Sequence, residues 1–304
     1  VGHDHLHGHP HGTAAGRSGA AARRPLATVL GLGVLTFAVQ VVVALATGSL
    51  ALLADSAHVL TDVLGVALAL TAVVIAERPT RPEWTFGLYR VEVLVALLNA
   101  ALLVVVAGWS VVEGLRRLGD PPEVPGLPVL LVGGFGLVTN LVSLVLLSGG
   151  GSLVAEGARL DVLADTIGSV GVMVGAVVVL ATGSGAADAW VGLAIGIWIA
   201  PRALRLGRDA VRVLMQSAPA GIDLDALAAD LVALPDVVEV HDLHVWTLTS
   251  DMDVLTAHVM VRAGADHHAV LDQARDVLAN RHRIHHATLQ VEPEDHRGCG
   301  ELDW

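Results

Sequence analysis

Six apolar stretches, at 26–47, 49–76, 91–113, 127–147, 153–181 and 187–206, occupy most of the first two thirds of this 304-residue sequence. Each is close to the ~20 residues an α-helix needs to cross a bilayer. Backbone inside lipid must satisfy its own hydrogen bonds, and segments of this length do so as helices. Pro, Gly or charge marks most junctions: Thr47-Gly48-Ser49, Arg78-Pro79-Thr80-Arg81-Pro82, Asp120-Pro121-Pro122, Ser148-Gly149-Gly150-Gly151 and Thr182-Gly183-Ser184-Gly185. The expected fold is therefore an α-helical membrane domain of six transmembrane helices. Composition agrees, since only 16% of residues are charged and 54% are hydrophobic, against ~25% charged in soluble domains. A purely soluble enzyme is excluded. The segment before Arg23 has no apolar core, so it is not expected to be a cleavable signal peptide.

Charge and histidine are unevenly placed. Of 30 acidic residues, 16 follow residue 212, against 5 arginines there; the rest of the chain is nearly neutral. There is no lysine, and the net charge of −12 excludes nucleic acid as a main partner. Five histidines lie in residues 1–11, His58 stands alone up to 240, and nine follow. Three regions are expected: a His-rich flexible cytosolic tail at 1–22, a six-helix domain at 23–212, and a cytosolic metal-binding and dimerisation domain at 213–304. A single cysteine, Cys299, rules out an intramolecular disulfide and a thiolate-rich zinc cluster. Arginines 17, 23, 24, 78, 81, 90, 202, 205, 208 and 212 outweigh the exception at Arg116 and Arg117. By the positive-inside rule both termini face the cytoplasm.

Ionisable side chains within a span are costly and mark function. Span two holds Asp55, His58 and Asp62, and span five holds Asp161 and Asp165. Residues four apart share a helix face, which pairs His58 with Asp62 and Asp161 with Asp165. Two helices giving two ligands each close a four-coordinate N/O shell, the arrangement Zn2+ prefers. Both pairs lie near mid-membrane at ~1.5 Å rise per residue. The segments also match at four of eight positions: His58-Val-Leu-Thr-Asp62-Val-Leu-Gly65 against Asp161-Val-Leu-Ala-Asp165-Thr-Ile-Gly168. In the expected topology the two spans run oppositely, as in an inverted repeat with its site at the interface. Asp55 is left between an exit-path or capping role and a fifth ligand. Glu92, Asn99 and Asn140 are read as packing or hydrogen-bonding residues, and Gly65, Gly168, Gly171 and Gly175 as points of close helix contact.

Residues 223–296 read as helix, strand, strand, helix, strand, a compact α+β module. Asp223 and Asp266 are expected helix caps, Val237–Leu248 and Val254–Val261 alternate as strands, and Ile284–Glu292 closes the sheet. His241 and His244, three apart, are expected on opposite faces.

Three segments then carry a resemblance. Ser49-Leu-Ala-Leu-Leu-Ala-Asp-Ser-Ala-His-Val-Leu-Thr-Asp62, Phe86-Gly-Leu-Tyr-Arg-Val-Glu92 and His241-Asp-Leu-His-Val-Trp246 resemble motifs of the cation diffusion facilitator family, over about residues 26 to 293. The resemblance implies a homodimeric, proton-coupled exporter of divalent metal ions, with six spans and a cytosolic ferredoxin-like domain. It maps the transport site onto His58, Asp62, Asp161 and Asp165, and a cytosolic zinc site onto His241, His258 and Glu292. It also implies Zn2+ as cargo and regulatory ligand, and lipid as surroundings. Two departures stand out. Asp161 occupies a position where the zinc branch often has a second histidine, which admits Cd2+, Co2+ or Mn2+ as alternatives. The histidine-rich stretch many relatives have between spans four and five is missing, partly offset by His3, His5, His7, His9 and His11. Asp295, His296 and Cys299 are candidates for a peripheral site. Two other classes compete: an intramembrane metalloenzyme, against which there is no HExxH or nucleophile pair, and a metal sensor with a membrane anchor. Absent lysine suggests a GC-rich bacterial source and a plasma-membrane location.

Overall fold

The computed structural model describes residues 13–76, 84–147, 153–249 and 252–295; the side chains of 13–26, 62, 66, 68–76, 147 and 153–161 lie outside that description. Six long helices come first: α1 (Thr13–Thr47), α2 (Leu50–Ala76), α3 (Arg90–Gly119), α4 (Gly126–Leu147), α5 (Leu153–Thr182) and α6 (Ala186–Leu214). Then follow α7 (Leu224–Val232), β1 (Val237–Thr249), β2 (Met252–Val261), α8 (His267–Arg281) and β3 (His286–Pro293). Among the described residues α1 and α3–α6 carry apolar stretches long enough to cross a membrane. At 27 residues α2 is also of spanning length. The chain divides into two compact units, Val1–Thr85 with Ala96–Gly207, and Phe86–Val95 with Arg208–Trp304.

Two helices overrun their apolar stretches. α1 starts at Thr13, ahead of the apolar run. α3 continues to Gly119, where Glu113 holds Arg116 and Arg117 at 3.4 and 2.9 Å across one turn. Gly48 joins α1 to α2 in the left-handed region, at φ 69°, which glycine adopts without strain.

In the first unit α1 packs on α2 and α4, and α5 packs on α4 and α2. Ala44, Ala51, Leu52, Val129, Val132, Val172 and Ala176 form the shared core. α3 meets α6 through Leu103, Ala107, Ile199 and Ala203. Gly196 permits that approach, because a Cβ there would sit 3.1 Å from the Ala107 carbonyl. Outward-facing Leu45, Leu98, Val105, Leu131, Val145 and Trp198 are exposed, as a lipid-facing surface requires.

The start of α2 is held from another helix. Asp188, in the first turn of α6 and buried, accepts from Ser49 Oγ at 2.5 Å and from the Leu50 amide at 2.6 Å. Ser49 Oγ also lies 3.1 Å from the Leu52 amide. Arg117 Nη1 donates to the Gly48 carbonyl at 2.5 Å. An acid at a helix N-terminus satisfies donors that the helix itself leaves unpaired.

In the second unit the sheet order is β1-β2-β3, with β1 antiparallel and β3 parallel to β2. α8 makes the crossover between the parallel pair. Leu227 and Leu231 of α7, with Ala274 and Leu278 of α8, bury one sheet face over Val245, Leu255 and Ala257. Asp223 and Asp266 cap α7 and α8 as expected, each accepting two backbone amides. The order α-β-β-α-β is that of the expected ferredoxin-like module.

Candidate metal centres

In the membrane unit α2 and α5 bring His58 and Asp165 together. His58 Nε2 lies 3.1 Å from Asp165 Oδ1, and both residues are buried, at 5% and 6% exposure. Asp62 and Asp161 follow and precede them by four residues on the same helices; their side chains lie outside the described residues. Ala54 and Val59 of α2 and Val162 of α5 are buried as well.

Asp55 is buried one turn before His58 and accepts from Gln40 Nε2 of α1 at 2.8 Å. Its other oxygen stands over Gly168, where a Cβ would come within 2.8 Å. Gly175 likewise makes room, for Val191 at 2.8 Å, whereas a Cβ at Gly65 or Gly171 would meet nothing within 4 Å among the described residues. The four glycines thus divide: two mark close approach and two do not. Asn140 donates to Ser169 Oγ at 3.4 Å, and Thr36 to Thr139 at 3.0 Å. Within the second unit, Glu92 accepts from Thr249 Oγ1 at 2.8 Å.

The second cluster lies on the sheet. His241, His258 and Glu292, one from each strand, offer ligand atoms that all lie within 4.8 Å of one another. His258 Nδ1 is 2.8 Å from Glu292 Oε1, and His241 Nε2 is 4.0 Å from Glu292 Oε2. The two rings stand 5.2 Å apart between centroids. Register explains the meeting: His241 opposes His258 across the antiparallel pair, and Glu292 opposes Met260, two residues along β2 on the same face. Glu292 is buried, and Gln290 Nε2 donates to it at 2.6 Å. Both ring nitrogens of His241 are buried without a hydrogen bond among the described residues, a costly state for an imidazole.

Simple alternation fails just past this cluster. His241 pairs with His258 but His244 with Thr256, so β1 carries one extra residue, with Asp242 at φ 47°. A bulge of this kind undoes the parity argument for His241 and His244. His244 is nonetheless exposed and outside the cluster. His268 is solvent-facing and 3.7 Å from Asp272. His282 is held by Asp230 at 3.0 Å, beside Arg281 at 2.6 Å from the same carboxylate. Asp295 is exposed; His296, Cys299 and the histidines at 3–11 lie outside the described residues.

Residues 26–215 match the model for the cation efflux transmembrane domain, and residues 219–294 that for the cation efflux protein cytoplasmic domain. The chain belongs to the cation efflux family, the cation diffusion facilitators, and is thus a multi-pass membrane transporter rather than an enzyme. Among its relatives is the metal cation efflux system protein CzcD of Cupriavidus metallidurans, 38% identical over 96% of this chain and 90% of that one. The zinc transporter ZitB of Escherichia coli is 37% identical over 84% and 82%. A Bacillus subtilis protein named as a cadmium, cobalt and zinc/H(+)-K(+) antiporter is 32% identical over 82% of both chains. A solved structure, the metal-bound C-terminal domain of the CzcD transporter, is 36% identical over 23% of this chain and 99% of that one, with a TM-score of 0.23.

Proposed function

We propose that this protein exports divalent metal ions from the cytoplasm, Zn2+ foremost, in exchange for protons. The observation that carries the reading is the buried contact of His58 with Asp165, 3.1 Å apart on two membrane helices. Each helix adds a carboxylate one turn away, Asp62 and Asp161. Three acids and an imidazole at one depth repel or stay protonated without a cation, and a divalent ion neutralises them. A ligating imidazole is neutral at its bound nitrogen, so metal entry displaces a proton from His58 and protons arriving outside release the metal. The related chains named as a zinc transporter and as a metal/H(+)-K(+) antiporter support cargo and coupling alike.

In this reading His241, His258 and Glu292 hold a cytosolic metal ion that biases transport. Tetrahedral Zn2+, with bonds of ~2.0–2.2 Å, sets its donors ~3.4 Å apart. The 2.8 and 4.0 Å separations in the trio bracket that value, and a metal ion gives a buried nitrogen of His241 the bond it does not make among the described residues. The tail at 1–22 collects metal, 23–212 carries it, and 213–304 binds metal and pairs two copies into a homodimer. Both termini face the cytoplasm, following the arginine distribution, in the plasma membrane of a bacterium.

The test is metal uptake by vesicles reconstituted with the full chain, with lumenal pH recorded, for Zn2+, Cd2+, Co2+ and Mn2+. Zn2+ uptake with opposed proton movement is expected, and its loss in Asp62→Ala and Asp165→Ala. Normal flux in both variants would refute the site. Broader selectivity is the second reading, favoured by Asp161: one nitrogen and three oxygens discriminate less sharply for Zn2+ than a shell with two nitrogens.

A further inference from the structure

A second set of acceptors stands one turn from the His58–Asp165 contact on the same two helices. Asp55 precedes His58 by three residues and Gly168 follows Asp165 by three. Because Asp55 meets Gly168 while His58 meets Asp165, α2 and α5 run antiparallel. Both members of the second set are displaced in one direction, by ~4.5 Å at 1.5 Å per residue. That direction leads to the α1–α2 turn, the outer side in the topology proposed above.

Four helices converge there. Asp55 comes from α2, Gln40 from α1 and Ser169 from α5. Gly136 of α4 leaves the gap, since a Cβ on it would lie 3.1 Å from Gln40 Nε2 and 3.3 Å from Ser169 Oγ. Gln40 is fully buried, at 0% exposure. Its amide nitrogen donates to Asp55 Oδ2 at 2.8 Å, while its Oε1 has no hydrogen-bond partner among the described residues. Buried side-chain acceptors in native proteins are nearly always satisfied. Helix packing alone does not ask for an amide with an idle carbonyl beside a carboxylate.

We infer that Asp55 and Gln40 form a second stop for the transported divalent cation, occupied after it leaves His58, Asp62, Asp161 and Asp165. Rotation of the Gln40 amide exchanges Nε2 for Oε1 and turns a donor to Asp55 into a second acceptor beside it. The cation then meets the Asp55 carboxylate, Gln40 Oε1 and Ser169 Oγ. This set has one formal charge and no nitrogen, against three carboxylates and an imidazole at the first site. It binds weakly and without preference for Zn2+, as an exit step needs: enough attraction to draw the ion off, too little to retain it. Asp55 therefore governs turnover, not affinity. The inference rests on the export function proposed above.

The test uses the full chain with Zn2+ as probe, in reconstituted vesicles for flux and in detergent for equilibrium binding. Asp55→Asn keeps the side chain's shape and removes its charge; Gln40→Met removes the carbonyl at similar length. Asp165→Asn serves as the comparator that defines which share of the binding belongs to the membrane site. Maximal flux is expected to fall at least tenfold in Asp55→Asn and at least threefold in Gln40→Met. The half-saturating Zn2+ concentration and the equilibrium affinity stay within twofold of the parent in both. Flux within twofold of the parent in Gln40→Met overturns the inference even where Asp55→Asn does not fold, and reduces the pair to a packing contact. Affinity falling in step with flux in Asp55→Asn overturns it differently, making Asp55 a ligand of the first site. A parent chain that moves none of the four metals refutes the export reading itself, and the second stop with it.

Discussion

The two candidate metal centres offer the same kinds of donor, imidazole and carboxylate, on different scaffolds. In the membrane, His58 and Asp165 approach because two separate helices happen to pack, and neither backbone is bonded to the other. In the cytosolic domain, His241, His258 and Glu292 sit on three strands whose backbones are hydrogen-bonded in fixed register. Side-chain packing between helices allows one to slide or tilt past the other, whereas a strand register changes only by breaking its ladder. A site that must open to each side in turn belongs on the first scaffold. A site that reports metal concentration belongs on the second.

Four perturbations sharpen that contrast. The largest effect is expected for Asp165→Ala, which removes the carboxylate 3.1 Å from His58: Zn2+ flux in vesicles should fall by at least two orders of magnitude. Next, Glu292→Gln should remove one bound Zn2+ per chain, counted by equilibrium dialysis of purified protein, while cutting flux less than tenfold. Equal flux losses in these two variants would abolish the distinction between carrier and reporter. Third, Asp188→Ala should destabilise the membrane unit by about 1–3 kcal/mol, the cost of leaving a buried amide and hydroxyl unpaired. Thermal denaturation in detergent measures it, with no change in Zn2+ stoichiometry. The smallest effect is expected for Asp230→Ala. Its pairs with Arg281 and His282 lie at the surface of the cytosolic domain, and such contacts contribute about 1 kcal/mol or less.

Much of the architecture was legible because it depends on local pattern. Asp223 and Asp266 announced their helices, since a short acceptor ahead of an apolar period is a local signal. Spacing by four, and the echo between the segments at 58–65 and 161–168, singled out the helix faces that carry His58 and Asp165. Long-range partners were not legible. Asp188 opens an apolar span and reads as an ordinary first-turn acid; only the fold shows that it serves α2, 138 residues away. Gln40 lies 15 residues from Asp55 across a turn, and their meeting depends on how α1 is rotated about its own axis. The bulge at Asp242 was hidden for a similar reason, because strand parity is counted on the assumption that no residue is extra.

The clamp on Ser49 and Leu50 has a mechanical consequence. It makes the start of α2 a fulcrum, held to α6 through Asp188 and to α3 through Arg117. His58 lies nine residues along from Ser49, a lever arm of ~13 Å at 1.5 Å per residue. A tilt of ~10° about that end moves His58 by ~2 Å, as much as the whole length of a zinc–nitrogen bond. The far end of the 27-residue helix swings about three times as far. If His58 holds the transported ion as proposed, a modest inclination of one rod would suffice to break that coordination while swinging the far end of the helix widely.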